Sequence, residues 1–121
     1  MLKAEIERLY KACGYTGAGL AAAWRHEGSF RTEVVAAAVL VPVACFTART
    51  LLEGALLIGS VLLVMIVELL NSSIESAIDR ISLERHELSK RAKDTGSAAV
   101  ALTVVLAVLV WGAILGPRWV A

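Results

Sequence analysis

A row of polar residues begins inside an otherwise apolar segment near the middle of the chain. Segment 54–70 contains one charged residue, Glu68, and Asn71, Glu75 and Asp79 follow it at spacings of three, four and four. On an α-helix these spacings place the four side chains on one narrow face, which rises about 16 Å at 1.5 Å per residue. A carboxylate near the end of a membrane span is costly, so Glu68 is a candidate functional residue.

Charged residues also cluster at two other places, next to further apolar segments. His26-Glu27 and Arg31-x-Glu33 precede the first of these segments, and Lys93-Asp94 precedes the last. Together with the polar row they suit phosphoryl transfer, because Mg²⁺ prefers one or two carboxylates plus substrate phosphates. A carboxylate base can activate a hydroxyl, and basic residues neutralise phosphate charge. The chain contains neither GxxxxGK[ST] nor the Gly-rich loop and DFG of protein kinases, so it belongs to neither large kinase class.

Simpler interpretations of the same residues remain open. Glu68 could be a carboxylate at headgroup depth that pairs with a neighbouring Lys or Arg. From Glu75 onward the row could be an ordinary solvated helix face. Each charge cluster alone is also what the positive-inside rule produces beside a span. The alignment of four polar residues on one face favours a functional site.

The composition describes a small membrane protein. The chain has 121 residues, of which 58% are hydrophobic, and this length allows one domain. The formal net charge is +1, so no general attraction to nucleic acid is expected, and the sequence contains no nucleic-acid-binding motif. A disulfide between Cys13 and Cys45 is not expected, because the two residues should lie at different depths.

Three segments are apolar enough to cross a bilayer, at residues 34–52, 54–70 and 97–116. We predict a tight hairpin between the first two, since only 49–53 is available for the turn. A charged helix extension and loop is predicted over 71–96.

Prolines and polar residues predict the shapes and ends of these helices. Pro42 should kink the first span or leave a carbonyl unpaired. Thr95, Gly96 and Ser97 can cap the third span, and Pro117 should end it.

The distribution of Lys and Arg predicts the orientation in the membrane. Residues 1–33 and 71–96 hold ten basic residues, whereas the opposite side holds only Arg49 and Arg118. Both basic regions, and with them the candidate site, should be cytoplasmic. In a bacterium the protein would therefore be a multi-pass protein of the inner membrane.

The N-terminal region 1–33 is predicted to be an amphipathic helix on the cytoplasmic membrane surface. We expect Gly14, Gly17 and Gly19 to interrupt it, with a second short helix holding Leu20, Trp24 and Phe30. The alternative is an ordinary soluble helix packed on the cytoplasmic loop. The predicted fold is thus an all-α membrane protein with one surface helix and three transmembrane helices. Such a thin bundle should self-associate.

The polar row also resembles a known signature. Glu68-x-x-Asn71-Ser72-Ser73-Ile74-Glu75-x-x-x-Asp79 is similar to the motif of the small bacterial integral-membrane diacylglycerol kinases. The segments AAWRHEGSFRTE and HELSKRAKDTGSAA fit the same family, and the resemblance covers essentially the whole chain. It implies ATP-dependent phosphorylation of diacylglycerol to phosphatidic acid, by a homotrimer with active sites shared between subunits.

The resemblance also implies roles for individual residues. Glu68 matches the catalytic base, and Glu27 and Glu75 match the carboxylates that bind Mg²⁺. The positions implied to contact or shape the ATP site are Arg8, Tyr15, Glu27, Asn71, Glu75, Asp79, Glu84, Arg85, His86, Lys93 and Asp94. The positions implied on the lipid-substrate side are Ala23, Trp24, Ser29, Phe30, Arg31, Glu68, Ser97 and Trp111. Arg85 departs from the pattern, because an aromatic residue is expected there.

Three other interpretations compete with this one. An undecaprenol kinase of the same architecture would use identical site chemistry. A small proton-coupled transporter could use Glu68 as its membrane carboxylate, although that charge should then lie near the bilayer middle. A structural membrane subunit is a third possibility, in which the acidic residues could be neutralised without loss of activity.

Overall fold

The computed structural model describes residues 1–120, and these form four α-helices joined by short connections. The helices are α1 (Leu2–His26), α2 (Gly28–Thr47), α3 (Leu51–Ile81) and α4 (Glu87–Val120). The last three are long and apolar enough to cross a membrane. The prediction of an all-helical fold with three helices long and apolar enough to span a membrane is therefore confirmed.

The two longest helices are longer than the hydrocarbon core of a bilayer is thick. Helix α3 has 31 residues and α4 has 34, which correspond to about 46 and 51 Å. The hydrocarbon core is only about 30 Å thick, so both helices project into water. The candidate site therefore lies on continuous helices that carry side chains from the membrane into the aqueous phase.

The turn between α2 and α3 is earlier and shorter than predicted. Helix α2 ends at Thr47 rather than near Leu52, and three residues connect it to α3. Thr50 ends the turn because its hydroxyl accepts a hydrogen bond from the Glu53 N–H at 3.1 Å, which caps α3. Pro42 lies inside α2, which continues past it to Thr47.

The predicted interruption of the N-terminal helix is wrong. Residues 2–26 form one helix through Gly14, Gly17 and Gly19, and Phe30 belongs to α2. A glycine costs a helix about 1 kcal/mol relative to alanine, which strong helix formers nearby can offset. Alanine, leucine, lysine and glutamate supply much of α1, so the helix persists.

The predicted ends of the last helix are also wrong. Helix α4 begins at Glu87, ten residues before Ser97, and the Thr95 hydroxyl donates to the Arg91 carbonyl at 2.9 Å instead of capping. The helix start is held by His86, whose Nδ1 accepts from the Leu88 N–H at 3.0 Å. Pro117 lies in the last turn, where the helix continues to Val120.

Helix α3 forms the centre of the bundle. It contacts α2 on one side and α4 on the other, both antiparallel to it. It contributes most of the buried residues, and α4 contributes none. Within one chain, therefore, much of the apolar surface of α4 is left for lipid or for other copies of the protein.

A polar cluster joins the three spans at the end opposite the polar row. The Arg118 guanidinium donates to the Thr47 carbonyl and to the Glu53 carboxylate, each at 2.7 Å. The same Glu53 oxygen accepts from the Arg49 N–H at 2.8 Å. This cluster holds the three spans together at the end of the bundle that is far from the polar row. At the end that carries the polar row, other contacts position the helices.

Candidate active site

The polar row lies along α3, and its burial decreases from the membrane outward. Glu68 is 5% exposed and Asn71 8%. Glu75 is half-buried, and the Asp79 side chain is 48% exposed. The row therefore connects a buried carboxylate at the end of the apolar segment with water, as its helical spacing predicted.

A second set of carboxylates comes from the elbow between α1 and α2. Glu27 is the one residue between these helices and has an extended backbone (φ −116°, ψ 104°). Its carboxylate makes no capping bond to α2, and both Glu27 and Glu75 lie close enough to Glu68 to repel its charge. The two predicted metal-binding carboxylates thus lie near the predicted base.

Glu33 is a site residue that sequence analysis placed in a charge cluster without assigning it a role. Its carboxyl group lies against that of Glu68. One of the Glu33 oxygens is buried without a hydrogen-bond partner. Its position at the start of an apolar segment could have identified it, by the same reasoning that singled out Glu68.

Helix α4 contributes the basic side of the site. Lys93 Nζ lies 2.8 Å from Asp79 Oδ1 and joins α4 to the outer end of the polar row. This hydrogen bond raises the pKa of the Lys93 ammonium, which lies before the apolar stretch 97–116, above its ordinary value. Asp94 pairs within its own helix, at 2.6 Å from Lys90. Lys93 is therefore held as a cation beside the carboxylates.

The close approach of α3 and α4 depends on a glycine. A methyl group added at Gly96 would overlap the Asn71 amide oxygen, which is itself buried without a hydrogen-bond partner. The Asn71 amide nitrogen lies 3.4 Å from Glu75 Oε1. Gly96 thus lets α4 pack directly on the part of α3 that orients Glu75.

Two clefts open on this region. One of about 450 Å³ lies between α1 and α3, and its lining includes Tyr15, Ala23 and Glu27. The other, of about 750 Å³, lies where α3 ends and α4 begins. The second cleft is lined by six of the predicted ATP-site residues, namely Asp79, Glu84, Arg85, His86, Lys93 and Asp94. Both volumes are in the range of small-molecule sites.

Three of the predicted ATP-site residues, Arg8, Asn71 and Glu75, line neither cleft, and of these Arg8 is the one that lies outside the polar row. Arg8 is an exposed side chain on α1, paired with Glu5 at 3.3 Å. Its predicted contact with ATP therefore remains a prediction.

The residues predicted on the lipid side come from three parts of the chain, namely the elbow, Glu68 on α3, and α4. Trp24, Ser29 and Arg31 are exposed around the elbow, while Ala23 and Phe30 are buried there. Ser97 and Trp111 lie on α4.

An apolar groove runs along the membrane part of the bundle. It has a volume of about 380 Å³ and is lined by residues of three helices, with Glu33 and Trp111 among them. The Trp111 indole N–H lies within hydrogen-bonding distance of the Leu57 carbonyl (3.1 Å) and the Ser60 hydroxyl (3.2 Å). Because α3 takes up this donor, Trp111 can offer a bound lipid only its ring.

The donor set fits Mg²⁺ that shares its ligands with a phosphate. Among residues 1–120, no three His, Cys, Asp or Glu side chains come together as a complete metal site. Glu27 and Glu75 supply two carboxylates, and Mg²⁺ usually takes one or two together with substrate phosphates and water. The Asn71 amide oxygen and the Ser72 hydroxyl oxygen are also buried on α3, each without a hydrogen-bond partner.

Comparison with known proteins decides the family. A family model described as prokaryotic diacylglycerol kinase matches residues 14–115. The chain belongs to the prokaryotic diacylglycerol kinase family. It is 53% identical over 104 residues to the diacylglycerol kinase of Escherichia coli K12, covering 86% of this chain and 85% of that protein.

Other relatives extend the similarity over nearly the whole chain. The diacylglycerol kinase of Pseudomonas aeruginosa is 52% identical over 112 residues, covering 91% of this chain and 89% of its own. That of Helicobacter pylori strain 26695 is 42% identical over 107 residues, covering 88% and 84%. The family match includes the elbow, the polar row and Lys93, whereas Arg8 lies outside it.

Proposed function

We propose that this protein is a diacylglycerol kinase that transfers the γ-phosphoryl group of ATP to the free hydroxyl of 1,2-diacylglycerol, giving phosphatidic acid. The family and the names of its relatives support the reaction. The observation that carries it in this chain is Glu68, a buried carboxylate at the end of an apolar segment. Diacylglycerol presents its hydroxyl at that depth, because its acyl chains remain in the membrane.

Glu68 is proposed as the general base. As the lipid hydroxyl oxygen bonds to the γ-phosphorus of ATP, the bond from that phosphorus to the β,γ-bridging oxygen breaks. The hydroxyl proton passes to a Glu68 carboxylate oxygen, and ADP leaves with the electron pair. Burial favours this role, because a desolvated carboxylate takes up a proton more readily than one in water.

The remaining residues position the phosphates. Glu27 and Glu75 would hold Mg²⁺, which neutralises charge on the ATP phosphates when it is bound. Lys93, held beside the row by Asp79, would offset charge on the transferred group. The cleft lined by Glu84, Arg85 and His86 would take the nucleotide from the aqueous side.

The proposed setting is the bacterial inner membrane, with the site facing the cytoplasm. The Lys and Arg distribution supports this orientation. Helix α1 is proposed to lie on the cytoplasmic membrane surface. This position would explain why one residue of its 25 is buried within the chain.

The proposed assembly is a homotrimer with shared sites. It is supported by the absence of buried residues on α4 within one chain. The lipid-side residues are also spread over the elbow, α3 and α4, and a neighbouring copy would complete the lipid site.

The competing functions are not favoured. The relatives are named for diacylglycerol rather than undecaprenol. A transporter would place its carboxylate near the middle of the bilayer, whereas Glu68 lies beside the end of the apolar segment and the row continues into water.

The test is transfer of radiolabelled γ-phosphate from Mg-ATP to diacylglycerol and to undecaprenol in mixed micelles. We expect label in phosphatidic acid from the wild type, reduced at least about 100-fold in Glu68→Gln. Glu7→Gln, at an exposed position of α1, is the matched control and should keep full activity.

Two outcomes would contradict the proposal. Near-normal turnover by a folded Glu68→Gln variant would refute the base assignment. Label found mainly in undecaprenol would refute the substrate.

A further inference from the structure

The elbow between α1 and α2 leaves the last carbonyl groups of α1 without helix partners. Helix α1 stops at His26, and Glu27 turns the chain with an extended backbone. The Glu27 N–H still donates to the Ala23 carbonyl at 2.9 Å. The carbonyls of Trp24 and Arg25, however, would need donors from the next turn of α1, which does not exist.

Arg31 supplies the missing donor from the first turn of α2. Its Nη1 donates to the Trp24 carbonyl at 2.8 Å and to the Arg25 carbonyl at 3.2 Å. Its positive charge also lies at the C-terminal end of the α1 dipole, where a cation is favourable. One side chain of α2 therefore caps α1 across the elbow.

Little else fixes the direction of α1. Ala23 is its one buried residue, and α1 packs far less extensively than the spanning helices. Helix α2, in contrast, is anchored at its start by Phe30, which is 3% exposed. The Arg31 bridge thus connects a loosely packed helix to a firmly packed one.

Glu27 is the residue whose position depends most on this bridge. It is the single residue between the two helices, so their relative direction sets where its carboxylate lies. That carboxylate makes no capping bond to α2 and lies near Glu68. A change in the elbow would move Glu27 relative to Glu75, which sits on the rigid helix α3.

We propose that Arg31 is a positioning residue, which caps α1 and thereby holds the Glu27 carboxylate opposite Glu75 for binding Mg²⁺ with ATP. This inference rests on the proposed kinase function, because it takes the metal-binding role of Glu27 from there. It differs from the lipid contact expected for Arg31 from the family resemblance. The hydrogen bonds to the Trp24 and Arg25 carbonyls use Nη1 of the Arg31 guanidinium.

The first experiment measures the elbow without measuring activity. Cys13 on α1 and Cys45 on α2 are both free and exposed, so they can carry spin labels without new mutations. Labelled chains are diluted into an excess of unlabelled chains, so that the measured distance lies within one chain. Pulsed electron paramagnetic resonance then gives the Cys13–Cys45 distance distribution, which should broaden or shift in Arg31→Gln.

The second experiment measures the metal. Mn²⁺ replaces Mg²⁺ as the probe, and its binding in the presence of ATP is followed by electron paramagnetic resonance, beside the Mg²⁺ dependence of phosphoryl transfer. Loss of a group that orients a metal ligand typically weakens binding 10–100-fold. We expect the metal concentration for half-saturation to rise about tenfold in Arg31→Gln.

Two variants serve as controls. Arg31→Lys keeps the charge but not the fork of donors, so it should lie between wild type and Arg31→Gln. Arg25→Gln removes a neighbouring exposed arginine whose side chain does not cap α1, and should behave as wild type.

Several results would overturn the inference. It fails if folded Arg31→Gln keeps the wild-type distance distribution. It also fails if the distance changes while metal binding does not, or if turnover falls at saturating metal with no change in half-saturation. Failure of the kinase proposal is separate, since wild type would then transfer no label to diacylglycerol.

Discussion

Replacing Gly96 by alanine tests whether close packing of α4 on α3 holds the site together. The added methyl group would overlap the Asn71 amide oxygen and lie 3.2 Å from its Cγ. Asn71 is 8% exposed, so its side chain has little room to move away. Either α4 must shift outward, or the Asn71 amide must rotate and leave Glu75, which lies 3.4 Å from its nitrogen.

Two opposing effects set the magnitude. Alanine in place of glycine inside a helix contributes about 0.5–1 kcal/mol of stability. Overpacking a close contact costs about 1–3 kcal/mol. For Gly96→Ala the net change should be a loss of up to about 2.5 kcal/mol, together with reduced turnover because Glu75 loses its neighbour.

Gly17 and Gly112 provide matched controls. An added methyl group meets nothing within 4 Å at either position of the chain. Their alanine variants should therefore be as stable as the wild type, or more stable by about 0.5–1 kcal/mol in the free energy of unfolding. Thermal unfolding in detergent and phosphoryl transfer at low temperature would be measured on all three variants. If Gly96→Ala is as stable and active as Gly112→Ala, the packing argument is refuted.

Two further predictions concern contacts between α3 and α4. Lys93→Met should lower phosphoryl transfer at least about tenfold, because Lys93 bridges to Asp79, whereas Arg91→Met should change it little, since Arg91 pairs within its own helix and lines neither cleft. Equal activity of the two variants in the radiolabel assay would contradict this difference. Trp111→Phe keeps a ring but removes the donor to the Leu57 carbonyl and Ser60, and should lower stability by about 1 kcal/mol. An unchanged unfolding temperature would show that the indole bond contributes nothing.

Local patterns in the sequence predicted a large part of the fold. The apolar segments correctly indicated three spanning helices, and the spacing from Glu68 to Asp79 correctly indicated one helix face. Both follow from helical periodicity and from the thickness of a bilayer, which act within one segment. The same reasoning misplaced helix ends at Thr95 and Pro117, where neighbouring residues favour continuation of the helix.

The sequence by itself determined that carboxylates, basic residues and a membrane boundary occur together, because these are properties of single helices. Only the tertiary structure decided which of them meet. Glu33 faces Glu68, Lys93 reaches Asp79 and Gly96 admits Asn71 because the helices pack antiparallel at particular registers. Arg31 caps a helix to which it does not belong. Such contacts depend on how side chains of distant segments fit together, and no periodicity within one segment records that.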